Sequence, residues 1–365
     1  MAIGQSSSVL IDSLDRHRDS VVATSLMSPK EEDFASLAPG EGPYLLVIVD
    51  AEEEFEWQTF SSTATSVKTT RCQVLAQKIF ERYGVVPTYA VDYPVANQEE
   101  GYRPLREFLA DGRCQIGAQL HPWVTPPMVE KIGVRHSYPG NLPRELEYEK
   151  LRQLTVRIED AFGVKPTLYR AGRYGTGPNT PGILHALGYQ IDCSVLPWSD
   201  LSRQGGPDYS GSSARPYWFG PNSDLLEIPV TSALLGILGT VGQRLFRVVS
   251  SPIAEACRLP GICARLGLLE RIKLTPEGTR LSEAMRLTRA LLRDHRHQVF
   301  VLSYHSPSLE PGHTPYVRTQ RDLDRFLAWI SEYLAFFFEE IGGFAVTPDI
   351  IRSRMLSERI AAQAA

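Results

Sequence analysis

From Tyr44 onward the chain alternates short, wholly apolar runs with longer stretches in which apolar residues recur every three or four positions. YLLVIVD (44–50) is a continuous apolar run ending in a charge, the pattern of a parallel strand buried on both faces. A helical stretch near 68–83 follows, and VVPTYAV (85–91) reads as the next strand. A helix near 102–110 leads to a third strand, RCQIGAQLH (113–121). The long helical pattern near 144–162 stops at Gly163, just before Lys165-Pro166. PTLYRA (166–171) and YQIDCSV (189–195) are strand-like and flank a short helix near 180–187. After a loop rich in Ser, Gly, Pro and Asp (199–224), LLEIPV (225–230) resumes strand character. A helix near 280–294 feeds QVFVLSYH (298–305), and a helix near 319–341 precedes a short final strand, FAVTP (344–348). The stretch 231–275 reads as broken helix and is expected to be an insertion or lid.

Repeated βα units imply a parallel sheet with right-handed crossovers. Six or seven of them favour a closed or nearly closed α/β barrel, and in such barrels the working residues sit at the C-terminal ends of the strands. Residues 1–43, rich in Ser, Asp and Glu, are expected to form a disordered or loosely attached arm. Residues 44–350 form the barrel in this reading, and 351–365 a C-terminal tail.

Composition narrows the function classes. The chain has 365 residues, 43% hydrophobic and 22% charged, ordinary values for a globular protein. A formal net charge of −4 gives no electrostatic reason to expect nucleic acid as a partner. Five dispersed cysteines without a CxxC pair argue for free thiols in a reducing compartment, and the N-terminus lacks the order of a secretory signal. Both point to a cytoplasmic location. Two apolar stretches, 231–246 and 326–341, are too short or too acidic to span a bilayer. Walker, GxGxxG, HExxH and GxSxG signatures are missing from the sequence, which sets aside the common nucleotide, zincin and serine-hydrolase readings.

Candidate chemistry falls at the strand ends. In VDAEEEFEW (49–57), period-two alternation would point Asp50, Glu52 and Glu54 one way and Glu53 the other. Several acids at the end of a buried strand need a cation or hydrogen bonds to offset them. In IGAQLHPWVTPP (116–127), Gln119 and His121 share a face, and Trp123 lies in a proline-stiffened loop that could offer a wall to a sugar ring. In TLYRAGRYGTGPNT (167–180), Arg170 is suited to orient a carboxylate, with Arg173 and Tyr174 close behind. In VLSYHSPSLEPGHTPY (301–316), His305 closes a strand and His313 follows in a loop; an imidazole there can give a proton near neutral pH. The other histidines, 17, 136, 185, 295 and 297, read as surface or packing residues.

Taken in order, VDAEEEF, GAQLHPWVTPP, YRAGRYG and SYHSPSLEPGHTPYV resemble the NodB-homology polysaccharide deacetylases (carbohydrate esterase family 4), most closely the WalW-like branch, over roughly 44–350. The resemblance implies a distorted (β/α)7 barrel and a divalent metal, zinc foremost, held by an acid and two histidines. It implies Asp50 as catalytic base, Arg170 as the arginine that orients it and His305 as general acid. Glu52 falls near the metal-binding acid. The family pattern H-[ST]-x-x-H is not kept: Gln119 stands at its first histidine and Trp123 at its second, with His121 between them. The implied metal set is Glu52, His121 and Gln119, with Asp50 or Glu54 as alternatives, and an amide oxygen is a poor zinc ligand beside imidazole. Trp123, Arg173, Tyr174 and His313 are the candidate substrate contacts. The expected partner is a carbohydrate or acylated small molecule, and the expected reaction is removal of an N- or O-acetyl group. Two other readings stay open. One is a non-catalytic glycan- or metabolite-binding barrel with a degenerate metal site. The other is a glycoside hydrolase pairing Asp50 with Asp92 or Glu227.

Overall fold

The computed structural model describes residues 26–27, 29–56, 59–238, 258–294 and 296–364. The strands are β1 (Tyr44–Ala51), β2 (Thr88–Val91), β3 (Gln115–Leu120), β4 (Leu168–Ala171), β5 (Ile191–Asp192), β6 (Tyr217–Phe219), β7 (Leu225–Glu227), β8 (Ser232–Leu235), β9 (Glu270–Lys273), β10 (Val299–His305) and β11 (Phe344–Ala345). Hydrogen bonding runs β10–β1–β2–β3–β4–β5–β7 in parallel, with β6 antiparallel on β7 and β11 added to β1. The sheet curls into part of a barrel, as the βα order predicts.

Alternation along β1 explains both layers of the core. Leu45, Val47 and Val49 pack outward with Phe80, Leu105, Leu154 and Ile330 of the surrounding helices. Leu46 and Ile48 point inward and meet Ala90, Leu168, Ile191, Leu226, Val299 and Val301. Asp50 continues this inward row. The helix Arg144–Phe162 ends where its pattern predicts, at Gly163 in the left-handed conformation (φ 73°).

Three regions differ from the sequence reading. The stretch 231–275 is not broken helix: its two ends pair as the antiparallel hairpin β8–β9, with a helix at Leu259–Arg265, while 239–257 lies outside the described residues. Each strand of this pair is four residues long, and no turn joins them directly, so no hairpin signal exists in the sequence. The hairpin also bridges the opening of the barrel. The Thr231 hydroxyl accepts from the Val301 amide (2.8 Å) and the Leu274 carbonyl from the Ser303 amide (3.4 Å), which stitches the hairpin base to β10.

The expected arm is packed over its described part. Leu26, Ala35 and Leu37 are buried, and the Ala35 amide donates to the Pro216 carbonyl (2.9 Å). Residues 1–25 lie outside the described residues. The expected tail belongs to a helix, Pro348–Ala364, whose Ile351 and Met355 join the inward core. In both segments a few apolar residues among many polar ones are enough to dock the chain. Among the described residues no helix is long and apolar enough to cross a membrane, and Cys72, Cys114, Cys193 and Cys263 are free thiols.

A buried lysine fixes the loop after β3. Lys150 donates to the carbonyls of Pro122 (3.0 Å), Thr125 and Pro127 (2.8 Å) and pairs with Glu130 (3.0 Å). Replacing it with Met leaves three carbonyls and a carboxylate without their partner. The expected loss is about 3 kcal/mol, read as a lower urea midpoint at unchanged m-value.

Candidate active site

Strand register assembles the site. In the β1–β10 ladder Asp50 is opposite His305, and in the β3–β4 ladder Gln119 is opposite Arg170. These four side chains, with Glu52 and His121 just beyond their strands, line one cavity of about 420 Å³ at the C-terminal mouth of the barrel. Phe55, Phe60, Tyr138, Tyr174 and Tyr316 supply its aromatic walls, and Arg173, Arg271, Lys273, Thr275 and Glu277 also line it.

At the floor, Asp50 lies between Arg170 and His305. Its Oδ1 is 3.1 Å from Arg170 Nε and its Oδ2 is 3.6 Å from His305 Nε2. The Asp50–Arg170 contact is an ion pair by distance, but its angle is too poor for a hydrogen bond, and the Arg170 nitrogens have no hydrogen-bond partner. Burial alone would lower the pKa of Arg170; the charges of Asp50, Tyr174, Cys193 and Asp192 together outweigh it and raise it. His305 is held from behind by Glu277, whose Oε2 accepts from Nδ1 (2.7 Å) and whose Oε1 accepts from the Ser308 hydroxyl (2.6 Å). Burial pushes the Glu277 carboxyl up, but His305, Ser308 and Lys273 together bring it below its ordinary value. Glu277 behind Nδ1 fixes the orientation and tautomer of His305.

His121 is organised in the same way. Its Nδ1 donates to Glu53 Oε2 (2.8 Å), and Glu53 Oε1 accepts from the Trp123 indole (2.7 Å). Its other nitrogen, Nε2, lies 3.6 Å from Glu52 Oε2. Burial pushes the His121 imidazole down to about 4, so it is neutral at pH 7 with an Nε2 lone pair facing the cavity. A close approach by Gly172 makes room for this ring: a Cβ there would lie 2.4 Å from the Leu120 carbonyl oxygen and 2.6 Å from His121 Cδ2.

The acids behind His121 titrate far from their usual range. Burial, then the charges of Asp50, Glu53, Asp92 and Glu277, raises Glu52 well above an ordinary carboxyl. Burial and the Glu53 charge do the same to Asp92. Glu53, Asp92 and His121 have donor atoms within 4.8 Å of one another. Their oxygens are already engaged, however: Asp92 accepts from the amides of Val95 and Glu53 (2.8 Å each), and Glu53 from Trp123 and His121. This trio orients the imidazole. Among the residues that line the cavity, Asp50 Oδ1, Glu52 Oε1 and Gln119 Oε1 have no hydrogen-bond partner. Orphaned oxygens around a neutral imidazole nitrogen, in a pocket with a surplus of acid, fit a divalent cation held by Glu52, His121 and Gln119.

Several placements depart from the sequence reading. Glu53 does not point away, because β1 ends at Ala51 and strand alternation ends with it. Glu54 turns from the cavity to bind the Ser66 hydroxyl (2.6 Å) and the Thr69 amide (2.7 Å), with His313 at 3.9 Å. Trp123 is 1% exposed and stacks on His121 at 4.2 Å, so it backs the site and offers no wall. Neither Trp123 nor His313 lines the cavity. Arg173 and Tyr174 do, with φ of 55° and 60°, a strained left-handed pair that turns both side chains toward the opening. Asp92 and Glu227 are fully buried and off the cavity, so neither can serve there as the partner carboxylate of Asp50. Glu277, Lys273 and Arg271 escaped sequence reasoning; TPEG, a turn before a helix, was the one faint signal.

No family model matches the sequence, and no curated protein matches it. Solved structures do match the fold, which is the β/α-barrel type seen in polysaccharide-deacetylase-like proteins. A Mycobacterium smegmatis protein provisionally described as a polysaccharide deacetylase is similar at a TM-score of 0.54 and 16% identity, over 91% of this chain and 96% of that one. Puue allantoinase is similar at 0.51 and 14%, over 91% and 95%. At these identities the likeness is one of fold.

The raised acids set a pH dependence. A carboxyl whose folded pKa lies above its unfolded value takes up a proton on folding, so its contribution is full below the ordinary value and is lost as pH rises through the folded one. Glu52 is such a group. Glu52→Gln in chelator is therefore expected to gain stability relative to wild type at pH 8 and to gain none at pH 4. Urea unfolding at both pH values checks this, and added zinc should stabilise wild type more than the variant.

Proposed function

We propose that this protein hydrolyses an acetyl group from a carbohydrate, with Asp50 as general base and His305 as general acid. The observation that carries the reading is the pairing at the cavity floor. A carboxylate and an imidazole face each other across 3.6 Å, and each is fixed from behind, by Arg170 and by Glu277. Such a pair can move a proton in both directions around one reacting carbon. Asp50 takes the proton of the attacking water. The carbon–nitrogen or carbon–oxygen bond of the acetyl group then breaks, and His305, as imidazolium, protonates the departing amine or alkoxide. Acetate and a free amino or hydroxyl group result. Arg170, 3.1 Å away, orients Asp50 toward the water. The Phe55, Phe60, Tyr138 and Tyr174 rings offer apolar faces to a sugar. The fold, shared with a protein provisionally described as a polysaccharide deacetylase, is consistent with this chemistry.

A divalent metal, zinc foremost, would be held by Glu52, His121 and Gln119. When bound it supplies charge that polarises the acetyl carbonyl and acidifies water. Glu53 and Trp123 keep His121 turned to that position, and the Glu52 carboxyl takes its charged form there.

One observation favours a second reading. The Gln119 amide nitrogen donates to Glu52 Oε2 (3.2 Å), so glutamine occupies the acid where a histidine would compete for metal. In this reading the barrel binds a glycan without turning it over. Gln119→His separates the two: a gain of metal affinity and acetate release marks a weakened enzyme, and no gain favours a binding role.

The direct test is acetate release from acetylated sugars with added zinc, cobalt or manganese. Asp50→Asn and His305→Gln should each lower kcat by about 10²–10⁴-fold with unchanged far-UV circular dichroism. Failure of every metal to support release, on N- and O-acetylated substrates alike, rejects the hydrolase reading.

A further inference from the structure

The cavity has two electrostatic halves. Its floor carries the carboxylates Asp50, Glu52 and Glu277 with two imidazoles. Its wall carries three cations, Arg173, Arg271 and Lys273, from two different parts of the chain. Arg271 and Lys273 are two apart on β9 and so share a face, while Ile272 between them is buried in the core. Arg173 comes from the strained turn after β4.

The partners of these cations are neutral. Arg173 donates to the Ser137 hydroxyl (2.6 Å), the Val134 carbonyl (3.4 Å) and the Gln204 amide oxygen, with its guanidinium 4.1 Å from the Tyr138 ring centroid and 4.9 Å from that of Phe60. Arg271 donates to the Ser199 hydroxyl and the Trp198 carbonyl (3.4 Å). Lys273 donates to the Tyr174 hydroxyl (2.7 Å). Among the described residues none of the three forms an ion pair, although Arg71, Arg113, Arg152 and Arg286 elsewhere each have a carboxylate. The floor acids act on Lys273 from a distance. Burial lowers its pKa, but Tyr174, Glu277 and Asp50 outweigh burial and keep it cationic. Positive groups aimed into a concave, partly dehydrated space and steadied only by dipoles are arranged to receive an anion.

We propose that the substrate is an acidic sugar, one that places a carboxylate or phosphate against Arg173, Arg271 and Lys273 while its acetyl group lies on the floor. The second half of this statement rests on the acetyl-hydrolysis reading; the first does not. A cavity of about 420 Å³ has room for a sugar ring with both substituents. The hairpin that closes the barrel is thus also the element that selects substrate charge, because Arg271 and Lys273 both come from it.

Calorimetry on the full chain at low ionic strength tests this with three ligands: neutral N-acetylglucosamine, its carboxylated relative N-acetylmuramic acid, and N-acetylglucosamine 6-phosphate. At least one charged ligand is expected to bind about tenfold or more tightly than the neutral one, and to weaken as salt rises. The tighter of the two charged ligands distinguishes carboxylate from phosphate. In Arg271→Gln/Lys273→Met the charged-to-neutral ratio should collapse toward one. Arg271→Glu alone, at an exposed position where folding is not at stake, should reverse the preference. Equal binding of charged and neutral ligands, no binding of either charged ligand, or a preference that survives both variants would overturn the proposal. Acetate release, measured separately, keeps the two ideas apart. Charge-selective binding without release leaves this inference standing and removes the hydrolase, and release without charge selectivity does the reverse.

Discussion

The architecture of the site depends on how a dry barrel mouth tolerates five buried acids. Asp50, Glu52, Glu53, Asp92 and Glu277 are all buried at the C-terminal end of the sheet. In a medium of low effective dielectric, like charges at such spacing cannot all remain ionised without compensation. The structure resolves the conflict differently for each. Arg170 compensates Asp50, and His305 with Ser308 and Lys273 compensates Glu277. Asp92 is pushed toward its protonated form and spends its oxygens on backbone amides. Glu53 is tied to a histidine and an indole. Glu52 keeps an oxygen with no hydrogen-bond partner and, among the described residues, has no cation beside it, which makes it a natural place for an added positive charge.

That division of labour makes two histidines chemically different. Both present Nε2 to the cavity because a carboxylate holds Nδ1. His121 is 2% exposed, and burial holds it neutral, as a metal ligand must be. His305 is 17% exposed at its side chain and is held from behind by Glu277 at 2.7 Å. The same residue type thus sits in two environments, separated by solvent access and by the partner behind it.

Closure of the barrel and composition of the site are one event. The ladder from β10 to β7 leaves an opening that the β8–β9 hairpin fills through Thr231 and Leu274. The chain that leaves the hairpin carries Thr275 and Glu277 into the cavity, so the partner of His305 arrives with the segment that seals the wall. Loss of hairpin pairing would remove Glu277, Lys273 and Arg271 together.

The sequence by itself determined the order of strands and helices outside 199–275 and the C-terminal segment, the inward row that ends at Asp50, and the strand ends that carry His121, Arg170 and His305. These are local matters: apolar alternation, helix periodicity and the stop at Gly163 are written within a few residues of where they act. Tertiary structure decided the rest. Glu53 turns inward because β1 ends one residue after Asp50, and Trp123 packs behind His121 because Lys150 draws its loop onto the body. Glu277 and Lys273 acquire roles only when a hairpin whose strands are 34 residues apart in sequence, Leu235 to Glu270 being the nearest ends, pairs across the barrel opening. Contacts of that kind have no periodic signature, since they depend on which surfaces meet once the core has formed.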